Sequence, residues 1–299
     1  MISNNFVGIS VIIPVYNGAK YVEKTINSLL SQTFRNFEII CVDDGSTDHS
    51  ISILENLSRK DDRIKILTKS NSGNVAKVLN FGLGYASGKY FMYSSQDDIF
   101  SVDLLENNFD QAEKNNADGV IPRMVPYHKE EDLTDILIPA DVNITLTGYE
   151  AFLLSLDWQI HGFVLWKISL LRDIGFFEFG LNSDEYTVRM LFYNSEKIVF
   201  SNGIFFYRQN NPNAITKKWN LSLIDYIETN LRLEQFLIEK KVDSVYVKKI
   251  YKAILHDLLR IQLILYSAKD KLPYNEYNQG LHLLKEKYNA HKIKFNLLN

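Results

Sequence analysis

The chain has 299 residues with a formal net charge of −3, and 46% of its residues are hydrophobic while 23% are charged. This composition is typical of a folded globular protein large enough for one α/β domain with an appendage. It excludes a disordered chain, and no window reaches the ~18 to 20 apolar residues that a membrane-spanning helix requires.

The distribution of charge and the number of cysteines limit the cellular compartments and the classes of partner that fit this chain. Lys and Arg outnumber Asp and Glu after Lys217, whereas acids dominate the preceding part. An acidic body argues against nucleic-acid binding, and a mildly basic tail suits peripheral contact with an anionic membrane. Because Cys41 is the single cysteine and no secretory signal is evident, we predict a cytoplasmic protein, with the inner face of the plasma membrane as its docking surface.

Strand and helix patterns alternate over the first hundred residues. Apolar runs predict strands at Ile9 to Val15, Phe37 to Val42, Ile64 to Leu67 and Tyr90 to Tyr93, and helical periodicity predicts helices at Val22 to Leu30, Ser50 to Arg59 and Val75 to Ala86. Ser46 or Thr47 is expected to cap the second helix, and Gly88 to stop the third. This alternation predicts an α/β fold with a mainly parallel sheet.

Paired acids follow two of these strands. Asp43 and Asp44 end the second strand, and Asp97 and Asp98 end the fourth. Ligands of open α/β sheets bind beyond the carboxyl ends of the strands, where adjacent carboxylates can hold a divalent cation. A solvated turn or a helix cap is the alternative explanation. Neither a dinucleotide fingerprint nor a P-loop is present, so bound phosphates would require neutralisation by a metal.

Five ordered segments resemble the family 2 glycosyltransferases, nucleotide-sugar enzymes with a GT-A fold. They are Ser10 to Asn17, Ser28 to Asp48, Asn71 to Leu83, Ala86 to Phe91 and Gln96 to Asp98. The resemblance implies a GT-A domain over residues 1–216, with a nucleotide-binding half at 1–100 and an acceptor-side half at 101–216. Residues 217–299 then form a helical C-terminal region, where apolar positions recur between Val247 and Leu265 with helical spacing.

The resemblance implies a uridine diphosphate sugar as the donor. Tyr16 would stack on the uracil, and Asp44 would accept a hydrogen bond from its ring N–H, which cytosine lacks at that position. Asn71 and Gly73 would lie along the nucleotide sugar. The full set of donor-binding candidates is Pro14, Tyr16, Asn17, Asp43, Asp44, Asn71, Gly73, Gln96 and Asp97.

The acidic motif departs from the family pattern DxDD, because Ser95 stands where the first acid is expected. The resemblance implies that Asp98, with Asp97 as the second candidate, holds Mg²⁺ or Mn²⁺, which would neutralise the departing diphosphate. Leu79 stands where many relatives have Arg, and Lys77 is a candidate substitute for it.

The acceptor side carries a candidate catalytic base. Asp184 matches the family's acidic pair, and Glu185 is the alternative, because adjacent helical residues point about 100° apart. Arg189 is a candidate ion-pair partner for one of these acids. Trp158, His161 and Trp166 are candidate acceptor-site or core residues, and Arg208 and Gln209 are candidates for closing over the diphosphate.

The sequence therefore predicts an inverting, single-addition glycosyltransferase. It would transfer one sugar to a saccharide or lipid-linked saccharide acceptor in surface polysaccharide biosynthesis. The QxxRW motif of processive members is absent. The alternatives are a catalytically inactive sugar-nucleotide-binding scaffold, which would explain Ser95 and Leu79, and a nucleotidyltransferase.

Overall fold

The computed structural model describes residues 6–128, 141–212, 214 and 217–298. The chain divides into two compact units. The first combines residues up to Glu178 with Thr187–Asn211, and the second combines Phe179–Tyr186 with the residues from Pro212 onward. The segment Phe179–Tyr186, which we assigned to the acceptor-side half, thus groups with the helical region.

One sheet of nine strands organises the described part of the first unit. Its order is β3-β2-β1-β4-β8-β6-β9-β5, and β7 pairs with β9. Strands β1 to β4 are parallel neighbours, as are β6 and β9, whereas β8, β5 and β7 pair antiparallel. The strands are β1 Ile9–Val15, β2 Phe37–Asp43, β3 Ile64–Thr68, β4 Tyr90–Tyr93, β5 Ile99–Phe100, β6 Gly119–Tyr127, β7 Thr145–Thr147, β8 Leu165–Lys167 and β9 Lys197–Arg208.

Helices flank this sheet, and the α/β prediction is confirmed. Strands β1 and β2 are buried along almost their whole length, as expected for parallel strands covered on both faces. Helix α1 buries Val22, Ile26 and Leu29 against the sheet. The α-helices that precede Pro212 in the described residues are α1 Val22–Leu30, α2 Ser50–Ser58, α3 Val75–Leu83, α4 Leu104–Asn115, α5 Gly148–Ser155, α6 Ile168–Ile174 and α7 Ser183–Asn194.

The end of α3 differs from the prediction. The helix ends at Leu83, with Gly84 as its C-cap, rather than continuing to Ala86 and stopping at Gly88. Gly88 has another role, because a Cβ there would lie 2.5 Å from the backbone nitrogen of Ser10 on β1. Its lack of a side chain allows the two backbones to approach closely.

The second unit is helical, as predicted. Its helices are α8 Asp225–Glu239, α9 Ser244–Ser267 and α10 Tyr274–Leu298, with 3-10 turns at Leu221–Ile224 and Lys269–Lys271. The apolar face predicted on α9 is buried and comprises Val247, Ile250, Tyr251, Ile254, Leu258, Ile261 and Leu265. Among the described residues, none of the helices combines the length and the hydropathy needed to cross a bilayer.

Candidate active site

The carboxyl ends of β1, β2, β3 and β4 meet at one edge of the sheet, because these strands are parallel neighbours. The last residues of these strands and the loops that follow them carry the predicted donor-binding residues. This edge is where open α/β sheets bind ligands.

Asn17 joins the loop after β1 to the loop after β2. Its backbone N–H donates to Ser46 Oγ at 2.9 Å, and its Oδ1 accepts from the N–H of Thr47 at 2.8 Å. Asn17 has a φ of +48°, a left-handed conformation that asparagine tolerates better than most residues. The two loops therefore form one hydrogen-bonded surface, on which Pro14 is half-buried and Tyr16 is exposed.

The predicted capping role of Ser46 or Thr47 is wrong. Helix α2 begins after His49, and no side chain caps it. The reason is that Ser46 and Thr47 are engaged by Asn17 instead. Asp48 bonds into the start of the helix, accepting from the N–H of Ser50 at 2.9 Å.

Asp43 and Asp44 are both buried, so they do not form a solvated turn. Asp43 Oδ2 accepts from the N–H groups of Gly45 and Ser46, each at 3.1 Å, and so shapes the turn. Asp44 points to the next loop, where the N–H of Ser72 lies 3.0 Å from both carboxylate oxygens and Ser72 Oγ lies 3.0 Å from Oδ2. Lys69 Nζ lies 3.3 Å from Asp44 Oδ1.

Gly45 allows the loop around Asn71 to reach Asp44. Its φ is +77°, and a Cβ there would lie 2.9 Å from the backbone nitrogen of Asn71. Asn71 Oδ1 accepts from the N–H of Gly73 at 2.8 Å, and Gly73 itself has a φ of +62°. Asn71 and Gly73 are exposed, so the structure places them on the surface of this edge beside Ser72.

Gln96 joins the acidic loop to the loop after β1. Its Oε1 accepts from the N–H of Tyr16 at 2.9 Å, and its Nε2 donates to the carbonyl of Tyr16 at 3.0 Å. A Cβ on Gly18 would fall 2.1 Å from Gln96 Oε1, so glycine leaves room for this contact. Gln96 therefore positions the backbone of Tyr16 rather than presenting a free amide.

Asp97 and Asp98 lie buried in the segment between β4 and β5. Asp97 Oδ2 accepts from Asn211 Nδ2 at 2.7 Å. Asp98 is completely buried, and its Oδ1 accepts from the backbone N–H of Arg208 at 3.0 Å. Burial first, and then the negative charge of Asp97, raise the pKa of Asp98 well above its ordinary value.

Arg208 holds the acidic loop from the end of β9. Its Nε donates to the carbonyl of Asp97 at 2.9 Å. Its guanidinium carbon lies 4.7 Å from the ring centroid of Tyr21 and 4.8 Å from that of Tyr127. The guanidinium is therefore stacked on two aromatic rings and hydrogen-bonded to the loop backbone. It has a structural role in this loop, and its predicted contact with the diphosphate stays a prediction.

The acid pair fits a divalent cation that carries other ligands with it. Two buried carboxylates repel each other, and the hydrogen-bond donors that meet them come from Asn211, Ser94 and backbone N–H groups. The described residues contain no cluster of three or more His, Cys, Asp or Glu side chains around a common point. A hard cation here would thus take its remaining oxygen ligands from phosphates and water.

Leu79 and its candidate substitute Lys77 both lie on α3 but have different environments. Leu79 is fully buried and belongs to the core, while Lys77 is exposed on the same helix. Asn80 is used structurally, because its Oδ1 accepts from the N–H of Phe176 and its Nδ2 donates to the carbonyl of Phe176, both at 2.8 Å. Asn80 Nδ2 also lies 2.6 Å from Glu178 Oε1.

His161 and the two tryptophans have distinct environments. His161 is buried, with Nε2 at 2.8 Å from the carbonyl of Pro122 and Nδ1 at 3.3 Å from the N–H of Phe163, so both ring nitrogens have structural partners. Trp166 is fully buried in the core. Trp158 is 57% exposed, and Arg189 lies over its ring at 4.8 Å. Trp158 is the one of these three that can meet a ligand.

Asp184 and Glu185 occupy the first turn of α7. Both are half-buried, and the N–H of Glu185 bonds to the carbonyl of Asn182 at 3.1 Å. They lie in the second compact unit, whereas Asp97 and Asp98 lie in the first. Their assignment as the base, with Asp184 preferred, stays a prediction.

Several contact residues at this edge were not identified from the sequence. Ser72 lay inside the segment Asn71 to Leu83 that we compared with the family, but its side chain carried no assignment, and Asn211 carried none either. Lys69, Tyr21 and Tyr127 gave no signal, because their contacts with the acidic residues or with Arg208 depend on strand ends meeting in space.

The model of the family described as Glycosyl transferase family 2 matches residues 10–174, more than half of the chain. The chain belongs to glycosyl transferase family 2. This family 2 glycosyltransferase is 29% identical to Glycosyltransferase GlyG of Streptococcus pneumoniae over 72% of its own length and 75% of GlyG. It is also 29% identical to GlyA of that species over 75% of its own length, but spans 34% of GlyA.

Solved structures resemble the fold. Staphylococcus aureus TarS 1-349 in complex with UDP-GlcNAc has a TM-score of 0.68 at 21% identity, with 95% of this chain and 81% of that chain covered. Mannosyltransferase PcManGT from Pyrobaculum calidifontis, in complex with GDP-Man and Mn²⁺, has a TM-score of 0.57 at 15% identity, with 97% and 87% covered. The GT-A type fold predicted from the sequence is thereby confirmed.

Proposed function

We propose that this glycosyltransferase transfers one sugar, with inversion, from a uridine diphosphate sugar to a saccharide or lipid-linked saccharide acceptor of a surface polysaccharide. The proposal is supported by Asp44, whose carboxylate can accept a hydrogen bond from the uracil N–H and lies at the carboxyl end of β2. It is also supported by the UDP-GlcNAc named in the TarS complex. The inverting course and the acceptor class come from the family resemblance alone.

The observation that carries the proposal is the buried pair Asp97 and Asp98. Among the described residues, this pair is met by the amide of Asn211, the hydroxyl of Ser94 and the backbone N–H of Arg208. Burying two adjacent carboxylates is costly, and a bound cation would offset that cost. We assign Mg²⁺ or Mn²⁺ to Asp98, with Asp97 as the second candidate, and such a cation would neutralise the diphosphate that leaves. Asp97 itself, already held by Asn211, would face the ribose or the donor sugar.

The remaining donor contacts follow from the loops that Asn17, Gln96 and Ser72 hold together. Tyr16 presents an exposed ring on a backbone fixed by Gln96, so it can stack on the base. Asn71 and Gly73 stand exposed beside Ser72, where a nucleotide sugar would pass. Asp184, or Glu185 in its place, would take the proton of the acceptor hydroxyl as it attacks the anomeric carbon.

A donor screen tests the proposal. Release of the nucleoside diphosphate is followed with UDP-linked glucose, galactose and their N-acetyl forms, and with GDP-mannose as the comparison donor. Thermal unfolding with UDP, with and without Mn²⁺, gives binding independently of turnover. Stabilisation by UDP and turnover of a UDP-sugar are expected. Binding without turnover in the presence of acceptors would favour the inactive scaffold, and absence of any UDP effect would contradict the donor assignment.

We further propose that the second unit contacts an anionic membrane surface through one exposed line on α9. Its C-terminal half carries Leu259, Leu263 and Tyr266, which are 63%, 68% and 49% exposed. Exposed Lys248 and Lys252 continue the same line at helical spacing. Apolar side chains beside lysines suit an anionic lipid interface better than a second positively charged copy of the helix. The cytoplasmic location predicted above is retained as part of this proposal.

A further inference from the structure

Lys69 stands directly after β3, beside the acidic end of β2. Its Nζ lies 3.3 Å from Asp44 Oδ1, and its side chain is 21% exposed while that of Asp44 is 9% exposed. The N–H of Lys69 donates to the carbonyl of Asp43 at 3.0 Å, which fixes the backbone of the lysine next to the carboxylate. A cationic donor and an anionic acceptor thus stand together at the edge of the sheet.

Ser72 fixes the orientation of the Asp44 carboxylate. Both of its oxygens accept from the N–H of Ser72 at 3.0 Å, and the hydroxyl of Ser72 adds a contact of 3.0 Å. The pair formed by Asp44 and Lys69 is therefore preorganised, which reduces the ordering cost when a ligand binds.

We propose that Lys69 recognises the nucleobase together with Asp44. Asp44 accepts a hydrogen bond from the ring N–H of uracil, and Lys69 donates one to a carbonyl oxygen next to that N–H. This inference rests on the proposed function. Uracil presents an N–H flanked by carbonyl oxygens, so a carboxylate acceptor beside an ammonium donor matches adjacent atoms of its edge. Cytosine presents a bare ring nitrogen, so the contact with Asp44 would be mismatched, and its amino group replaces the 4-carbonyl, so a contact of Lys69 at that position would be mismatched as well.

Lys69 is thus assigned as a determinant of donor specificity rather than as an ion pair that only stabilises the loop. A site built to hydrogen-bond a ligand rejects an analogue that cannot make those bonds, because its buried polar groups are left without partners. One charge-assisted hydrogen bond corresponds to about a tenfold to a hundredfold change in affinity.

The first test uses Lys69→Met in the full chain. Dissociation constants for UDP and CDP are measured by titration calorimetry with Mn²⁺ present. UDP is expected to bind about tenfold to a hundredfold more weakly to the variant, with CDP little changed, so the preference for uridine shrinks. Lys65→Met is the matched control, because Lys65 lies on β3, four residues before Lys69, and pairs with a different acid, with its Nζ 2.5 Å from Glu38 Oε2.

The second test removes the acceptor from the ligand instead. The 4-thio and 2-thio analogues of UDP replace one carbonyl oxygen each by sulfur, a poorer acceptor. One of these analogues is expected to bind the unaltered protein more weakly than UDP does. The same analogue and UDP are expected to bind Lys69→Met with equal affinity, which is the signature of a direct contact. Lys69→Arg, which retains donors, is expected to keep the uridine preference and guards against loss of folding in the methionine variant.

The outcomes distinguish a failure of the role of Lys69 from a failure of the proposed function. If each analogue shows the same penalty with Lys69→Met as with the unaltered protein, Lys69 only holds Asp44 and the inference is overturned, although UDP binding stands. If UDP does not bind the unaltered protein at all, the proposed function fails, and the role of Lys69 fails with it.

Discussion

The backbone N–H of Arg208 donates a hydrogen bond of 3.0 Å to Oδ1 of Asp98, across 110 positions of sequence. Strand β9 ends at this residue, so the last peptide of β9 orients the acid that directly precedes β5. The side chain of Arg208 binds the same loop again through the carbonyl of Asp97. The geometry of the acidic pair is therefore set by β9 as much as by β4.

Replacement of Arg208 by alanine is expected to loosen this loop. The loss of the bond to the Asp97 carbonyl and of both ring contacts should lower the free energy of unfolding by about 1.5 to 3 kcal/mol. The stabilisation by UDP with Mn²⁺ should fall in the same thermal assay. Arg232→Ala is the control, because Arg232 also lies over a ring, that of Phe179 at 4.2 Å, but in the second unit. Equal ligand responses in the two variants would contradict the role of Arg208.

Asp98→Asn is expected to separate stability from ligand binding. The amide oxygen can still accept from the N–H of Arg208, while the buried charge beside Asp97 is removed, so the unligated protein should melt at a higher temperature. A ligand at one hundred times its dissociation constant stabilises a protein by about 2.7 kcal/mol in total. The variant should lose the part of the UDP stabilisation that depends on Mn²⁺. Asp110→Asn, on the exposed face of α4, serves as control. A full Mn²⁺-dependent shift in Asp98→Asn would contradict the assignment of the cation to Asp98.

The pH dependence of stability should reveal Glu38. Burial would raise the pKa of this carboxyl, but hydrogen bonds from Lys65, Ser10 and Ser87 outweigh burial and lower it from the ordinary value of 4.5. A depressed pKa contributes stability above pH 4.5 that is lost as the pH falls through the folded-state pKa.

Glu38→Gln should therefore cost about 1 to 3 kcal/mol at pH 7, measured by urea unfolding, and the difference from the unaltered protein should shrink below the ordinary pKa. Glu55→Gln breaks an exposed pair with Arg59 of 3.7 Å and should change stability by less than about 1 kcal/mol. A pH-independent deficit in Glu38→Gln would show that its hydrogen-bond geometry matters and its charge does not.

Asp184→Asn is expected to abolish transfer while nucleotide binding persists. Removal of a general base commonly lowers the rate by about 10² to 10⁴-fold, and the uracil and phosphate contacts assigned here come from other residues. The measurement pairs UDP release with UDP binding by calorimetry, and Glu185→Gln is the companion variant. Full turnover in Asp184→Asn with a loss in Glu185→Gln would transfer the role to Glu185.

Leu263→Asp is expected to weaken membrane contact. Leu263 is 68% exposed at the centre of the apolar part of the α9 line, so the substitution should leave the core intact while adding a charge at the lipid interface. Co-sedimentation with vesicles of anionic lipid measures the effect, and salt should weaken the remaining binding. Ile238→Asp on α8, where Ile238 is 55% exposed, controls for added charge. Equal binding of both variants and the unaltered protein would contradict the proposed surface.

Local patterns predicted the elements that local forces determine. The apolar run from Ile9 to Val15 and the spacing of Val22, Ile26 and Leu29 indicated β1 and α1, because burial on one or both faces leaves a period in the sequence. Strands as short as Ile99–Phe100 leave no such period, and they form because β9 lies alongside.

Polar side chains were harder to predict than strands. Ser46 has the chemistry of a helix cap, but Asn17 competes for it from another loop, and local sequence does not reveal that competitor. The structural use of Asn80 and His161, each bonded to a distant backbone, was hidden for the same reason. The acidic residues at the strand ends were identified because topology alone brings them to one edge.

The paired hydrogen bonds between Gln96 and the backbone of Tyr16 have a consequence for engineering. A carboxylate at position 96 could accept from the N–H of Tyr16 but could not donate to its carbonyl, so the family's first acid can be restored at position 95 without loss of these bonds, whereas an acid at position 96 would break one of them. Grafting a base-binding loop from a relative would likewise separate it from its anchor. Exchange of the loop that carries Tyr16 therefore requires residues 14–18 and 95–98 to be transplanted together.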